Sequence, residues 1–153
     1  MQIETKLKEL GLELPPPGKP VANYVLAVRS GNLIFLSGHG PIFKDGSAIT
    51  GKVGADLTLE EGYQAARQTA LVLLTSLKEE IGNLDKVQRV VKLLGMVNCT
   101  PEFVDQPKVI NGASDLLVDI FGAKGKHARS AIGVNALPFN IAVEIEMIVA
   151  VKD

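Results

Sequence analysis

Residues 58 to 82 run Thr-Leu-Glu-Glu-Gly-Tyr-Gln-Ala-Ala-Arg-Gln-Thr-Ala-Leu-Val-Leu-Leu-Thr-Ser-Leu-Lys-Glu-Glu-Ile-Gly, and the fold turns on them. Thr58 followed three residues later by Glu61 is a capping box, the reciprocal side-chain cap that opens a helix. Leu59, Tyr63, Ala66, Ala70, Leu73, Leu77 and Ile81 then recur at steps of three or four until Gly82. That period predicts a long helix with one buried stripe. A second one follows downstream. Pro107 suits a first helical turn, and Val109, Ile110, Ala113, Leu116, Leu117, Ile120 and Phe121 keep the 3.6 period to Gly122.

Strands surround these helices. Residues 87 to 97 are dense in β-branched side chains with loose alternation, which predicts a strand between the two helices. Asn23 to Val28 and Leu33 to Leu36 flank the turn-rich Arg29-Ser30-Gly31-Asn32, a hairpin pattern. At the C-terminus Val143, Ile145, Met147, Val149 and Val151 share one strand face, with Glu144, Glu146, Ile148 and Ala150 on the other. Ala128 to Val134 reads as one more strand-like stretch. From Ser37 to Gly54 five glycines and Pro41 predict loop, with at most a short strand near Ala48 to Thr50. Ahead of all this, Ile3, Leu7 and Leu10 at helical spacing predict a short amphipathic helix stopping at Gly11. Leu14-Pro15-Pro16-Pro17-Gly18-Lys19-Pro20 follows as an extended connector. The order is β-β-α-β-α-β-β, an α+β layout with both long helices on one sheet face.

Composition narrows the function. A length of 153 residues with 46% hydrophobic and 22% charged residues is one globular domain, residues 1–153, of which 1–20 are helix and connector. One cysteine and two histidines neither staple a disulfide framework nor build a Cys/His zinc site. Sixteen Lys and Arg against seventeen Asp and Glu, with no Trp, give no basic stripe and no stacking platform, so nucleic acid is a poor partner. No apolar run approaches the ~18 residues of a membrane span, and the N-terminus lacks a signal-peptide core. A reducing cytoplasm is the expected compartment.

The hydrophobic pattern also predicts assembly. Leu33 to Leu36 is apolar on both faces, and the last strand is half apolar on its second face. Two helices cover only one face, so the other is expected to be buried against further copies of the chain.

The candidate chemistry is sparse. Cys99, the only thiol, reads as a buried small hydrophobe, and His39 and His127 read as loop or surface histidines. Gly38-His39-Gly40 lacks the third glycine, the lysine and the following helix of a phosphate cradle. More telling is Ala128-Arg129-Ser-Ala-Ile-Gly-Val-Asn-Ala-Leu-Pro138 followed by Val143-Glu144-Ile-Glu146. If these two strands pair as neighbours, Arg129 and Glu144 face one pocket. The arginine would grip a carboxylate with its rigid fork, and the glutamate would activate a water. A structural Arg–Glu ion pair at a strand end fits the same spacing.

The motif Ala-Arg129-Ser-x-x-x-Val-x-x-Leu-Pro138 with Val-Glu144-Ile-Glu resembles the signature of the RidA/YjgF family. Its members are deaminases of reactive imines and enamines, also known as L-PSP endoribonucleases or translation inhibitors. Asn23-Tyr24, Gly31 to Gly38 and Asn111 agree in order, and the resemblance runs from about residue 20 onward, in a divergent branch. It implies a six-stranded mixed sheet with two helices on one face, similar to chorismate mutase. It also implies a homotrimer with intersubunit sites and no cofactor or metal. Arg129 falls at the family's carboxylate-binding position and Glu144 at its water-activating one. Tyr24, Ser37, Gly38, Asn111 and Ala131 fall at pocket positions, and Ala131 stands where many members have cysteine. The expected reaction is hydrolysis of 2-imino or enamino acids to 2-keto acids and ammonia. The rivals are a metabolite-binding trimer without chemistry and an endoribonuclease.

Overall fold

The computed structural model describes residues 2–20 and 22–153; Met1 and Val21 lie outside the described residues. The elements are α1 (Gln2–Glu9), β1 (Ala27–Ser30), β2 (Leu33–His39), α2 (Leu59–Ile81), β3 (Val87–Asn98), α3 (Gln106–Phe121), β4 (Ala128–Val134) and β5 (Val143–Val151).

The capping box is formed. The Glu61 N–H donates to the Thr58 hydroxyl at 3.1 Å, and the Thr58 N–H donates to Glu61 Oε1 at 3.0 Å. α2 ends at Gly82 with φ 81°, a left-handed stop that suits glycine. Its buried face is wider than one stripe, because Ala65, Thr69, Leu74, Thr75 and Ser76 are buried too. The sheet, α3 and the proline connector cover it together: the Thr75 hydroxyl donates to the Pro15 carbonyl at 2.8 Å. α3 carries its proline in the first turn and packs against α2 at Gly112, where a Cβ would run into the Tyr63 main-chain carbonyl. α1 has its first turn capped from a distance, since the N–H groups of Gln2 and Ile3 both donate to the Asp85 carboxylate at 2.8 Å.

The strands form one sheet in the order β1-β2-β5-β3-β4, with β3 and β4 parallel and all other neighbours antiparallel. The sheet has five strands where the family resemblance implies six. Residues 48–50 make only isolated bridges, Ala48 to Ile42 and Thr50 to Ile141. Gly46, Gly51 and Gly54 all sit at positive φ around that segment, so the chain turns away before a ladder extends. The first strand, expected over residues 23–28, runs Ala27–Ser30 instead: Arg29 and Ser30, expected in the turn, pair with Ile34 and Leu33, and the chain turns on Gly31 (φ 61°) and Asn32.

One face of the sheet carries Ile34, Leu36, Val90, Leu93, Val97, Val143, Ile145, Met147 and Val149, all buried beneath α2 and α3. The opposite face carries Phe35, Leu94, Met96, Ile132 and Ile148, none of them fully buried, with Phe35 41% and Ile132 45% exposed. Among the described residues no helix is long and apolar enough to cross a membrane.

Candidate active site

Face and strand order decide where the chemistry sits. β3 lies between β4 and β5, so the strands of Arg129 and Glu144 are not neighbours. Arg129 pairs with Leu93, whose side chain is buried under the helices, whereas Glu144 pairs with Met96 on the opposite face. The pairing of these two strands that would turn both groups toward one pocket is therefore not formed. The residues fall into two clusters.

The first cluster surrounds Glu144. β2 carries an extra residue between the pairs Leu36–Met147 and His39–Ile145, a bulge that spans Ser37 and Gly38. It turns Gly38 onto the uncovered face, where a Cβ would stand 2.7 Å from Glu144 Oε2. The absence of a side chain there is what lets the carboxyl lie against the β2 backbone. Ser37 donates its hydroxyl to the Val25 carbonyl at 2.7 Å, and Tyr24, one residue earlier in the chain, is exposed. Burial pushes the Glu144 carboxyl above the ordinary carboxylate range, and the Glu146 charge two residues along the same face pushes it the same way. Among the described residues Glu144 has no ion-pair partner.

The second cluster surrounds Arg129. Its Nη1 donates to the Ser114 hydroxyl at 3.0 Å and its Nη2 to the Pro107 carbonyl at 3.3 Å. Pro107, Asn111 and Ser114 follow one another at steps of four and three along α3, so Asn111 shares the face that Arg129 spans. Ala131, two residues along β4 and paired with Gly95, shares the Arg129 side of the sheet. Arg129 too has no carboxylate partner among the described residues, and the remaining donors of its fork stay available.

Sequence reasoning missed Ser114. Its hydroxyl lies 2.9 Å from His127 Nε2, and His127 Nδ1 lies 2.7 Å from the Gly125 carbonyl. A carbonyl only accepts, so Nδ1 carries the proton, Nε2 accepts from Ser114, and the Ser114 oxygen faces Arg129. Burial lowers the His127 pKa against the opposing effect of the Gly125 bond, and the Arg129 charge lowers it further. The signal in the sequence was only the three-residue step from Asn111 to Ser114.

His39 is the other correction. It is 6% exposed and does not face solvent, because the same bulge turns it under the helices. Nδ1 donates to the Ser37 carbonyl at 2.5 Å and Nε2 accepts from the Ser76 hydroxyl at 2.7 Å. Cys99 is buried, as expected. Among the described residues no three His, Cys, Asp or Glu side chains group as metal ligands.

Known proteins share this fold. Residues 4–150 match the family described as "YjgF/chorismate mutase-like, putative endoribonuclease". Protein TCP17 of Trypanosoma cruzi is 43% identical over 99% of this chain and 96% of its own length. The crystal structure of Atu1372 from Agrobacterium tumefaciens, of unknown function, is 45% identical with a TM-score of 0.91, covering 99% of this chain and 94% of that one. A "putative endoribonuclease" of Shewanella oneidensis MR-1 is 32% identical with a TM-score of 0.95 over 99% of this chain and all of that one. With the match spanning nearly the whole length, the chain belongs to the YjgF/chorismate mutase-like family.

Proposed function

We propose that the chain hydrolyses 2-imino acids and their enamine tautomers to 2-keto acids and ammonia, at sites completed between copies of itself. The observation that carries this reading is a pair of unmatched charges. Among the described residues the Arg129 guanidinium and the Glu144 carboxyl each lack a counter-charge, and they lie on opposite sides of the sheet. A heterologous contact brings two different patches of the chain together between copies and closes into a ring when the rotation between neighbours closes. The partly exposed apolar face around Phe35 and Ile132 supplies surface for such a contact. By resemblance to the family the ring has three members.

In this reading Arg129 holds the substrate carboxylate and so fixes the position of the imine carbon. Asn111, Ser37 and Tyr24 line the rest of the pocket, and Ala131 leaves room where others of the family carry a thiol. Glu144 takes a proton from water as the oxygen bonds to carbon and the C=N bond becomes single. It gives that proton to the nitrogen to form the carbinolamine, then takes the hydroxyl proton as the C=O closes and passes it to the nitrogen as the C–N bond breaks, so that ammonia leaves. Burial raises the Glu144 carboxyl above the ordinary carboxylate range, so it holds a proton more readily than an exposed one, and one such acid/base group contributes roughly 10²- to 10⁴-fold. Cleavage of RNA has weaker support: His39 and His127 are both engaged in internal hydrogen bonds, and the charge balance is slightly acidic.

The test is keto-acid release from freshly generated 2-aminoacrylate. Arg129→Ala should lose it by a factor of about 10² or more, and Glu144→Gln should lose turnover while still binding keto acid. Refolding the two inactive variants together should restore about a quarter of native activity in a random ring, because some interfaces pair an intact arginine with an intact glutamate. Unchanged activity in Arg129→Ala ends the proposal, and no recovery in the mixture ends its intersubunit part.

A further inference from the structure

A cleft of about 380 Å³ opens beyond the C-terminal ends of the parallel strands β3 and β4, walled by Lys52, Cys99, Thr100, Phe103, Gln106 and Asn135 among others. It contains a cation and several neutral hydrogen-bonding groups but no carboxylate. Lys52 is held by neutral partners alone: its Nζ donates to Asn98 Oδ1 at 2.8 Å and to the Asn135 carbonyl. Asn98 is completely buried, and its Nδ2 is bonded in turn to Asn140 Oδ1 at 3.1 Å and the Ile141 carbonyl at 3.2 Å. The ammonium is thus fixed by a saturated buried network, with one of its three donors left over. Nearby acids are engaged elsewhere. Asp56 accepts the Lys52 main-chain N–H at 2.9 Å, Asp105 pairs with Lys108 at 3.7 Å, and Glu102 is exposed outside the cleft.

We infer that this cleft is an anion site for a small phosphate monoester, separate from the Arg129 and Glu144 clusters. A compact ammonium binds phosphate as a point charge. The Thr100 hydroxyl and the Asn135 amide add two further donors at the wall, and Phe103 offers an apolar surface for the organic part. Separation from Arg129 comes from Gln106. Its side chain lies where a Cβ on Gly133 would stand, 2.7 Å from that position, and it is pinned by donating to the Phe103 carbonyl at 2.7 Å. Neither Ala131 nor Arg129 lines the cleft, whose β4 wall begins at Gly133.

Calorimetric titration of the full chain with phenyl phosphate and, in parallel, with benzoate tests this. Phenyl phosphate should bind once per chain, with affinity roughly 10- to 100-fold weaker in Lys52→Gln. Thr100→Val, which leaves the Asn98 network intact, should weaken it by a smaller factor. Arg129→Ala should leave phenyl phosphate binding unchanged while abolishing binding of benzoate. No phenyl phosphate binding to the native chain overturns the inference, as does equal binding in Lys52→Gln and Thr100→Val. Loss of phenyl phosphate binding in Arg129→Ala overturns it too, by placing the phosphate at the arginine.

Discussion

Gly112 and Gly38 are both glycines because another group occupies the space of a Cβ, and the nature of that group separates the two sides of the sheet. At Gly112, on the covered side, the neighbour is the Tyr63 main-chain carbonyl. At Gly38, on the uncovered side, it is the terminal oxygen of a flexible side chain, Glu144 Oε2, at 2.7 Å. Backbone cannot yield there without moving a whole helix, whereas a carboxyl can swing aside. The covered side therefore stakes the stability of the fold on close approach, and the uncovered side stakes only the placing of one functional group.

The largest effect expected from that contrast is on Gly112→Ala, which forces α2 and α3 apart. Overpacking of this kind costs roughly 2 to 3 kcal/mol, on the order of 5 to 10 °C in Tm for a domain of this size. Any residual folded fraction should keep native kcat. A melting temperature within a degree of native would mean that the helices slide past one another freely, and the contrast would fail.

Gly38→Ala should do the reverse. The added methyl displaces the Glu144 carboxyl from the β2 backbone, and misplacement by about 1 Å costs up to ~10²-fold in turnover. Stability should change by less than about 1 kcal/mol, because only a side-chain end has to move. Imine hydrolysis and thermal melting measured on the same preparation check both halves. Full activity would show that the carboxyl does not need its present seat.

Buried His39 extends the comparison to pH. Burial lowers its pKa despite the favourable Ser37 bond, so the folded chain holds a neutral imidazole. Below the ordinary value near 6.5 the unfolded chain binds a proton that the folded one refuses, and stability falls with pH until the lowered folded value is passed. The slope reaches at most about 1.4 kcal/mol per pH unit for this group. His39→Gln keeps a donor for Ser37 and an acceptor for Ser76, so chemical denaturation between pH 7 and 5 should show a shallower dependence. An unchanged slope would assign the acid sensitivity to other groups.

The same bulge explains what the sequence did not reveal. Alternation from Leu36 puts Gly38 inward and His39 outward, and one inserted residue reverses both. No pattern of residue types announces it. The long helices were legible because Thr58, Glu61, Pro107 and the 3.6 period are local signals. The five strands were legible for the same reason, and so was the alternation that places Glu144 opposite Val143 and Ile145. Strand order was not legible. A period of two fixes the face of a residue but never its neighbour, so the insertion of β3 between β4 and β5 could separate Arg129 from Glu144 unannounced. Ser114 and Ser76 were hidden similarly: each is an ordinary polar residue in a helix until a histidine from elsewhere in the chain reaches it.

The smallest effect carries the sharpest sign. In the isolated chain burial and Glu146 raise the Glu144 pKa, so at neutral pH the folded state holds a charge it would rather not ionise. That is a cost to folding, present above the raised value and relieved as pH falls through it toward the ordinary range. Glu144→Gln should therefore stabilise the isolated chain at pH 7, by less than about 1 kcal/mol because the carboxyl is only half-buried, and the gain should vanish in acid. A guanidinium arriving from another copy reverses the argument: it favours the charged carboxylate, and Glu144→Gln then weakens the assembled form. Denaturation at pH 7 across a dilution series reads the sign directly. A gain at low protein concentration that turns into a loss at high concentration is what two half-sites meeting between chains require. A sign that ignores concentration would leave Arg129 and Glu144 as separate features of one surface.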